Sequence, residues 1–282
     1  MKYISTFFIT IFIPTLLFSQ SWQRKSEVVE PPLQLFHSTY AYALPTAETL
    51  KQGDYLYGIS HRFTLPVSSG FEQLFGIDGP VINMMNLGYG LTDDIFLNLG
   101  RSNRESQWWF ETKYKAIEIR NESLPILISF LGGVAYSSKP TLVGGQELES
   151  GRDWHFYGVA IINTLISDKL GIGITPTFSY NSHLQCPEIE NSITLGAYAE
   201  YYLDDMYSIL IETNPTITGW RNKYDSYTVG FSMETGGHFF KFSVSNNTAI
   251  NIQQFNSGAQ SAFLGSEEKN NLHFGFQITR NL

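Results

Sequence analysis

Seven charged residues fall where an extended strand would turn them all to one face: Arg62, Glu111, Lys113, Lys115, Glu200, Glu212 and Lys241. Charges of one sign gathered in a ring would select ions. A mixture of signs in an enclosed space points instead to ion pairs that fill it, with a weakly selective, water-filled passage as the other reading.

Catalytic sets are harder to assemble. His37, His61, His155, His183, His238 and His273 are scattered without a paired-histidine spacing, and Cys186 is the single cysteine, so neither a metal nor a cofactor is expected. Asp153 and His155, two apart, could supply part of an acid/base pair, although a histidine near a membrane rim is more often just an interfacial aromatic. Asn181-Ser182-His183 brings the right residue types together, but adjacency in a loop is not triad geometry. No glycine motif follows a strand and opens a helix, and the chain is read as a non-enzyme.

The elements that would position the seven charges alternate with period two. In the clearest, Trp108, Phe110, Thr112, Tyr114 and Ala116 face one way while Glu111, Lys113 and Lys115 face the other, as lipid outside and water inside would require. Near 170–180, Leu170, Ile172, Ile174, Phe178 and Tyr180 alternate with Gly171, Gly173, Thr175, Thr177 and Ser179, small residues suited to a crowded inner wall. The pattern predicts about twelve strands between Gly53 and the end of the chain. Connections alternate between tight polar turns, such as Leu91-Thr92-Asp93-Asp94, Ile166-Ser167-Asp168-Lys169 and Leu203-Asp204-Asp205, and longer loops. That rhythm predicts an all-β, antiparallel, transmembrane up-and-down β-barrel with short periplasmic turns and both termini on the periplasmic side. A soluble β-sandwich is the competing architecture, but it would not explain the loop lengths.

The amino terminus agrees. Met1-Lys2 precedes an apolar run from Ile4 to Phe18 interrupted by Pro14, which reads as a signal peptide over 1–19, cleaved near Ser19. Losing Lys2 takes the formal charge from -8 to -9, and an acidic surface argues against nucleic acid as a partner. Aromatic residues make up 15% of the chain, with 16 Tyr and 21 Phe, an abundance that interfacial girdles explain. Residues 20–52, with Pro31-Pro32 and Pro45, lack alternation and are expected to form a periplasmic segment, a flexible tether or a plug-like lead-in to the barrel of 53–282.

The stretches Pro45-Thr46-Ala47-Glu48-Thr49-Leu50-Lys51-Gln52-Gly53, His61-Arg62-Phe63 and Gly70-Phe71-Glu72-Gln73-Leu74-Phe75-Gly76-Ile77-Asp78-Gly79, followed by Tyr89-Gly90-Leu91-Thr92-Asp93, Gly100-Arg101-Ser102 and Glu234-Thr235-Gly236-Gly237-His238, resemble an uncharacterised family of bacterial outer-membrane β-barrels with a domain of unknown function. The resemblance implies a fold and a membrane, and carries over no catalytic residue. The chain ends Arg280-Asn281-Leu282, where such barrels commonly end on an aromatic residue read by the assembly machinery.

Within 70–79, Phe71, Leu74, Phe75 and Ile77 are too apolar to lie loose in water. This loop is expected either to fold into the lumen and constrict it, with Glu72 and Asp78 lining the gap, or to cap the rim. The expectation for the whole is a barrel in the outer membrane of a Gram-negative bacterium, in contact with outer-membrane lipid and the barrel-assembly machinery. It would serve as a passive pore or small-solute transport component, or alternatively as a non-conducting scaffold for a periplasmic or surface partner; an outer-membrane hydrolase is the remotest reading.

Overall fold

A computed structural model describes residues 32–138, 151–182, 189–264 and 271–282. The expected signal peptide lies outside them, as does His183. Residues 33–282 form one compact unit. Its strands are β1 (Tyr55–Phe63), β2 (Val81–Thr92), β3 (Ile95–Ser102), β4 (Gln107–Ile119), β5 (Ile126–Ser137), β6 (Trp154–Ile166), β7 (Leu170–Tyr180), β8 (Asn191–Tyr202), β9 (Tyr207–Asn214), β10 (Thr216–Gly219), β11 (Ser226–Thr235), β12 (His238–Ser245) and β13 (His273–Asn281). Neighbours pair antiparallel, and β1 pairs with β13, which closes the sheet. Tyr55 and Leu282 exchange both backbone hydrogen bonds at that seam, at 3.0 and 2.8 Å.

Both β9 and β10 pair with β8, through Ala197↔Thr213 and Thr216↔Thr194, and are two parts of one strand interrupted at Pro215, which has no N–H to give. Thirteen segments therefore make a closed barrel of twelve strands.

The wall is apolar outside and mostly polar inside, with an apolar inner patch that includes Leu127, Leu131, Val159 and Ile161. Leu87, Leu99, Phe130, Ile162, Ile174, Ile211 and Phe242 are exposed, whereas Ser60, Asn86, Asn98, Ser129, Asn163 and Thr175 are buried. A soluble sandwich would reverse that order, so the solvent outside is hydrocarbon. Aromatic rings meet near both edges: Tyr55 with Tyr89 and Tyr207 with Phe231 near the short-turn end, Tyr136 with Trp154 and Phe156 with Tyr180 near the long-loop end.

The lumen is occupied. Residues 33–52 do not form a tether outside the barrel; they enter it from the short-turn end as a hairpin, while residues 20–31 lie outside the described set. Ala41 N donates to Leu44 O at 2.9 Å and Thr46 N to Thr39 O at 3.1 Å, which makes Tyr42-Ala43 the tip. The returning arm ties to the β2–β3 turn, where Asp93 accepts from Thr49 Oγ1 at 2.6 Å and from Gln52 N at 2.8 Å. The entering arm passes His37, whose Nδ1 lies 2.7 Å from Glu234 near the β11–β12 turn.

From the long-loop end, the chain after β12 folds inward and carries a short helix, α1 (Ile252–Asn256), capped by the Asn251 side chain, which accepts from Gln254 N at 2.9 Å. Every residue of α1 is buried. Ile250, Ile252 and Phe255 share an apolar cluster with Leu35, Phe36 and Leu44 of the hairpin. Hairpin and roof thus close the barrel from opposite ends.

Candidate functional site: the hairpin seat

The seven charges predicted to point inward are all buried in the barrel wall. They do not form the predicted mutual ion-pair network. Most of them hold the hairpin. Lys113 Nζ donates to three hairpin carbonyls, those of Thr39, Thr46 and Glu48, at 2.8, 2.8 and 2.9 Å. Lys241 Nζ reaches Ser38 Oγ and the carbonyls of Tyr40 and Ala41 at 2.8, 2.7 and 2.6 Å. A tight turn leaves carbonyls without strand partners, and a three-donor ammonium on each side supplies them.

The carboxylates serve the complementary groups. Glu212 accepts from Ala43 N through both oxygens at 3.1 Å and from Leu44 N at 3.2 Å, so it holds the tip. Glu111 accepts from Tyr40 Oη, from Tyr157 Oη at 2.8 Å and from Asn98 Nδ2 at 3.0 Å. The Arg62 guanidinium lies 4.0 Å from the Tyr42 ring centroid, and its Nη1 donates to Ser60 Oγ at 2.6 Å. Glu200 accepts from Ser208 Oγ at 2.6 Å, and Lys115 pairs at 3.4 Å with Asp94 and with Glu118 at the short-turn end.

Several members of the seat carried no charge pattern that could announce them. Asn163 Oδ1 accepts from Ala47 N at 2.6 Å, Ser129 Oγ donates to Ala47 O at 2.6 Å, and Tyr198 Oη donates to Pro45 O at 2.9 Å. Glu48 belongs to the hairpin itself and joins its two arms by accepting from Leu35 N and Phe36 N at 2.8 and 3.0 Å. Two inward glycines make room. A Cβ on Gly171 would stand 2.7 Å from the Phe36 ring, and one on Gly275 would stand 2.6 Å from Tyr42 Oη.

Between hairpin tip and roof remains a cavity of about 30 Å³, bordered by Tyr42, Asn86, Glu111, Ile250 and Gln277 among others. That is room for one or two waters at most. The roof is fixed by amides: Gln107 Nε2 donates to Gln253 Oε1 at 2.9 Å, while Gln107 Oε1 accepts from Asn251 Nδ2 and Gln254 Nε2 at 2.7 and 3.0 Å.

The constriction loop is placed elsewhere. Residues 70–79 stand at the long-loop rim, with Phe71 79% exposed and Leu74, Phe75, Ile77, Glu72 and Asp78 also exposed. Their apolar faces do not enter the lumen, because the hairpin and roof already fill it. His155 and Asp153 do not pair as an acid and base. His155 is buried, its Nδ1 lies 2.5 Å from Asn181 O, its Nε2 lies 3.4 Å from Ser137 Oγ, and Gln253 of the roof lies over it at 3.3 Å. Among the described residues no group of His, Cys, Asp and Glu side chains could hold a metal ion.

Closed wall, aromatic belts and internal hairpin together define a plugged transmembrane β-barrel. The chain belongs to the family of the membrane bound beta barrel domain (DUF5777), which matches residues 36–282 and so takes in most of the hairpin as well as the wall. No curated protein matches the sequence. Among solved structures, an outer membrane channel from Pseudomonas putida F1 is 12% identical with a TM-score of 0.48, over 84% of this chain and 98% of that one. The KdgM porin is 8% identical with a TM-score of 0.46, over 81% and 97%. Outer membrane phospholipase A from Escherichia coli is 10% identical with a TM-score of 0.42, over 81% and 92%.

Proposed function

We propose that the protein is an outer-membrane transport barrel for small polar solutes whose lumen is closed at rest by the hairpin of residues 33–52 and by the roof around α1, and opens when the hairpin withdraws toward the periplasm and the roof is displaced as well. One observation carries this reading: beside an apolar patch of Leu127, Leu131, Val159 and Ile161, the wall facing the hairpin is lined by Ser, Thr, Asn and charged side chains. A permanently filled interior could be apolar at no cost, whereas these groups need either the hairpin's backbone or water. When the hairpin leaves, its wall partners can exchange carbonyls and amides for water, which makes withdrawal reversible. The passive open pore expected from sequence becomes a gated one.

The test is planar-bilayer conductance of three refolded proteins: the mature chain, a variant lacking residues 33–50, and that variant with the roof, residues 249–257, replaced by a Gly/Ser linker. Rare openings in the first and sustained steps in the last support gating. Silence from all three, each shown folded, overturns it. The filled lumen also favours a second reading, a non-conducting scaffold that displays its loops or its N-terminal lead to a partner, and a mature chain that never opens, beside a double variant that conducts, is the outcome the scaffold requires.

A further inference from the structure

Beside the roof, the long-loop end holds a polar recess of about 190 Å³. That is room for roughly six waters at about 30 Å³ each, or for one solute no larger than a monosaccharide. Four connections meet there. Thr64 follows β1, Arg104 lies between β3 and β4, Asn222 lies between β10 and β11, and residues on either side of α1, Thr248 and Ser261 among them, lie between β12 and β13.

The frame of the recess is built from side chains whose hydrogen bonds are spent. Asn247 is buried; its Nδ2 donates to Ser226 Oγ at 2.7 Å and to Gly258 O at 3.0 Å, and its Oδ1 accepts from Ala249 N at 2.8 Å. Asn246 Nδ2 donates to Asp225 O and Ser261 O at 2.9 and 2.8 Å, and Ser261 Oγ donates to Asn271 O at 2.9 Å. These bonds tie the two ends of the roof segment to each other and to β11, so the recess is formed in advance of any ligand.

Other groups on its lining are unspent. Arg104 is half-buried, and its guanidinium makes one long contact, Nη1 to Thr248 Oγ1 at 3.4 Å, and no ion pair with a described residue. Glu105 offsets part of that charge, but its carboxylate turns to Ser137, whose Oγ donates to Oε2 at 3.4 Å. Asn222 Nδ2 and the Asn271 amide make no hydrogen bond with a described residue. Thr64 Oγ1 donates to Pro80 O at 2.9 Å and keeps its lone pairs. Among the described residues no carboxylate and no Phe, Tyr or Trp ring lines the recess.

That lining selects by charge and by hydrogen bonding. One guanidinium answers one anion, and a carboxylate is its bidentate match. A phosphate dianion would leave charge unanswered, an ammonium would meet Arg104 with no carboxylate to pair it, and a hydrocarbon body would strand the amides. Hydroxyls both donate and accept, as carboxamides do. We propose that the recess is a capture site for a small hydroxylated monocarboxylate, with its carboxylate on Arg104 and its hydroxyls on Asn222, Asn271 and Thr64. That the captured molecule is the transported solute rests on the transport reading above; its binding to the closed barrel does not.

The experiment is a ligand-observed NMR titration of the full mature barrel in neutral detergent with gluconate, with sorbitol as its uncharged counterpart, and with hexanoate as a carboxylate without hydroxyls. Gluconate should bind saturably and about tenfold or more tighter than either, since each of the others lacks one set of contacts. Arg104→Gln should lower gluconate affinity by about tenfold and remove its margin over sorbitol, while Arg104→Lys keeps part of both. Asn222→Leu with Asn271→Leu should narrow the margin over hexanoate and, should Arg104→Gln not fold, stands as the independent test. Heat-modifiable gel mobility reports folding of each. Equal binding of the three probes, or gluconate binding undiminished in either folded variant, would overturn the site. Bilayer current carried by gluconate through the variant lacking both hairpin and roof reports passage separately. Conduction without saturable binding overturns the capture site alone, and binding without conduction overturns the transport reading alone.

Discussion

Lys113 shows what one residue does here. Its ammonium is sealed inside the barrel and answers three hairpin carbonyls, one of which, Thr39 O, also accepts from Thr46 N. Lys113→Met keeps the length of the side chain but takes the donor away from the buried Thr46 and Glu48 carbonyls, while Thr39 O keeps Thr46 N, and a buried acceptor left unsatisfied costs about 1–3 kcal/mol. That cost falls on docking of the hairpin and not on the wall, whose strands keep their ladders. Limited proteolysis should therefore cut within 33–52 in the variant and spare the wild type, with heat-modifiable mobility unchanged. Gly171→Val probes the same seat by shape, since its side chain would collide with the Phe36 ring. It should expose the same cleavage sites, and protection equal to wild type would show that Phe36 does not anchor the entering arm. The facing of Lys113 is legible in the sequence, because parity along β4 fixes it. Its partners are not, because a period of two says which side a residue faces and nothing about what lies across the lumen.

The strands themselves are legible for a physical reason: lipid outside and polar groups inside leave a two-residue alternation. β5 is weakly patterned because its inner face is partly apolar as well, with Leu127 and Leu131 turned inward beside Ser129 into the cluster shared with the hairpin. Two elements were legible in part or not at all. Pro215 divides one strand into β9 and β10, a break that alternation does not register. The hairpin, which has no strand period, was legible only as one of two readings of 20–52, the plug-like lead-in beside the tether, yet its tip, Tyr40-Ala41-Tyr42-Ala43-Leu44-Pro45, carries no charge and is too apolar for a tether in water. That composition was the available signal. Fixing the hairpin in place should fix the barrel shut. With Cys186→Ser as background, Ala47→Cys and Ser129→Cys would join two positions already linked by a hydrogen bond of 2.6 Å. The oxidised protein should be silent in a bilayer, and reduction should restore whatever openings the unlinked protein shows; conductance under oxidation equal to that after reduction would argue that solute passes elsewhere. Deleting residues 70–79, in contrast, should leave conductance unchanged, since the loop stands on the rim with Phe71 in the open.

For the whole molecule the arrangement is two closures in series. The hairpin fills the lumen from the short-turn end and α1 roofs it from the other, meeting in one apolar cluster that includes Leu44 and Ile252. Barriers in series do not add: removing one leaves the flux limited by the other. A variant lacking 33–50 should gain little conductance, because Gln107 still ties Asn251, Gln253 and Gln254 across the top. Replacing 249–257 alone should likewise gain little, because the hairpin keeps its contacts with Lys113, Lys241 and Glu212. Both changes together should give steps well above the sum of the two single variants, with an ion preference that shifts on charge reversal at Lys113. The same logic predicts coupling in stability. Phe255→Ala removes apolar contacts from a cluster shared by hairpin and roof, at a cost of about 3–5 kcal/mol for a buried Phe. It should raise proteolysis of the hairpin as well as of the roof. Cleavage confined to the roof would mean that the two closures act independently and that either end could open without the other.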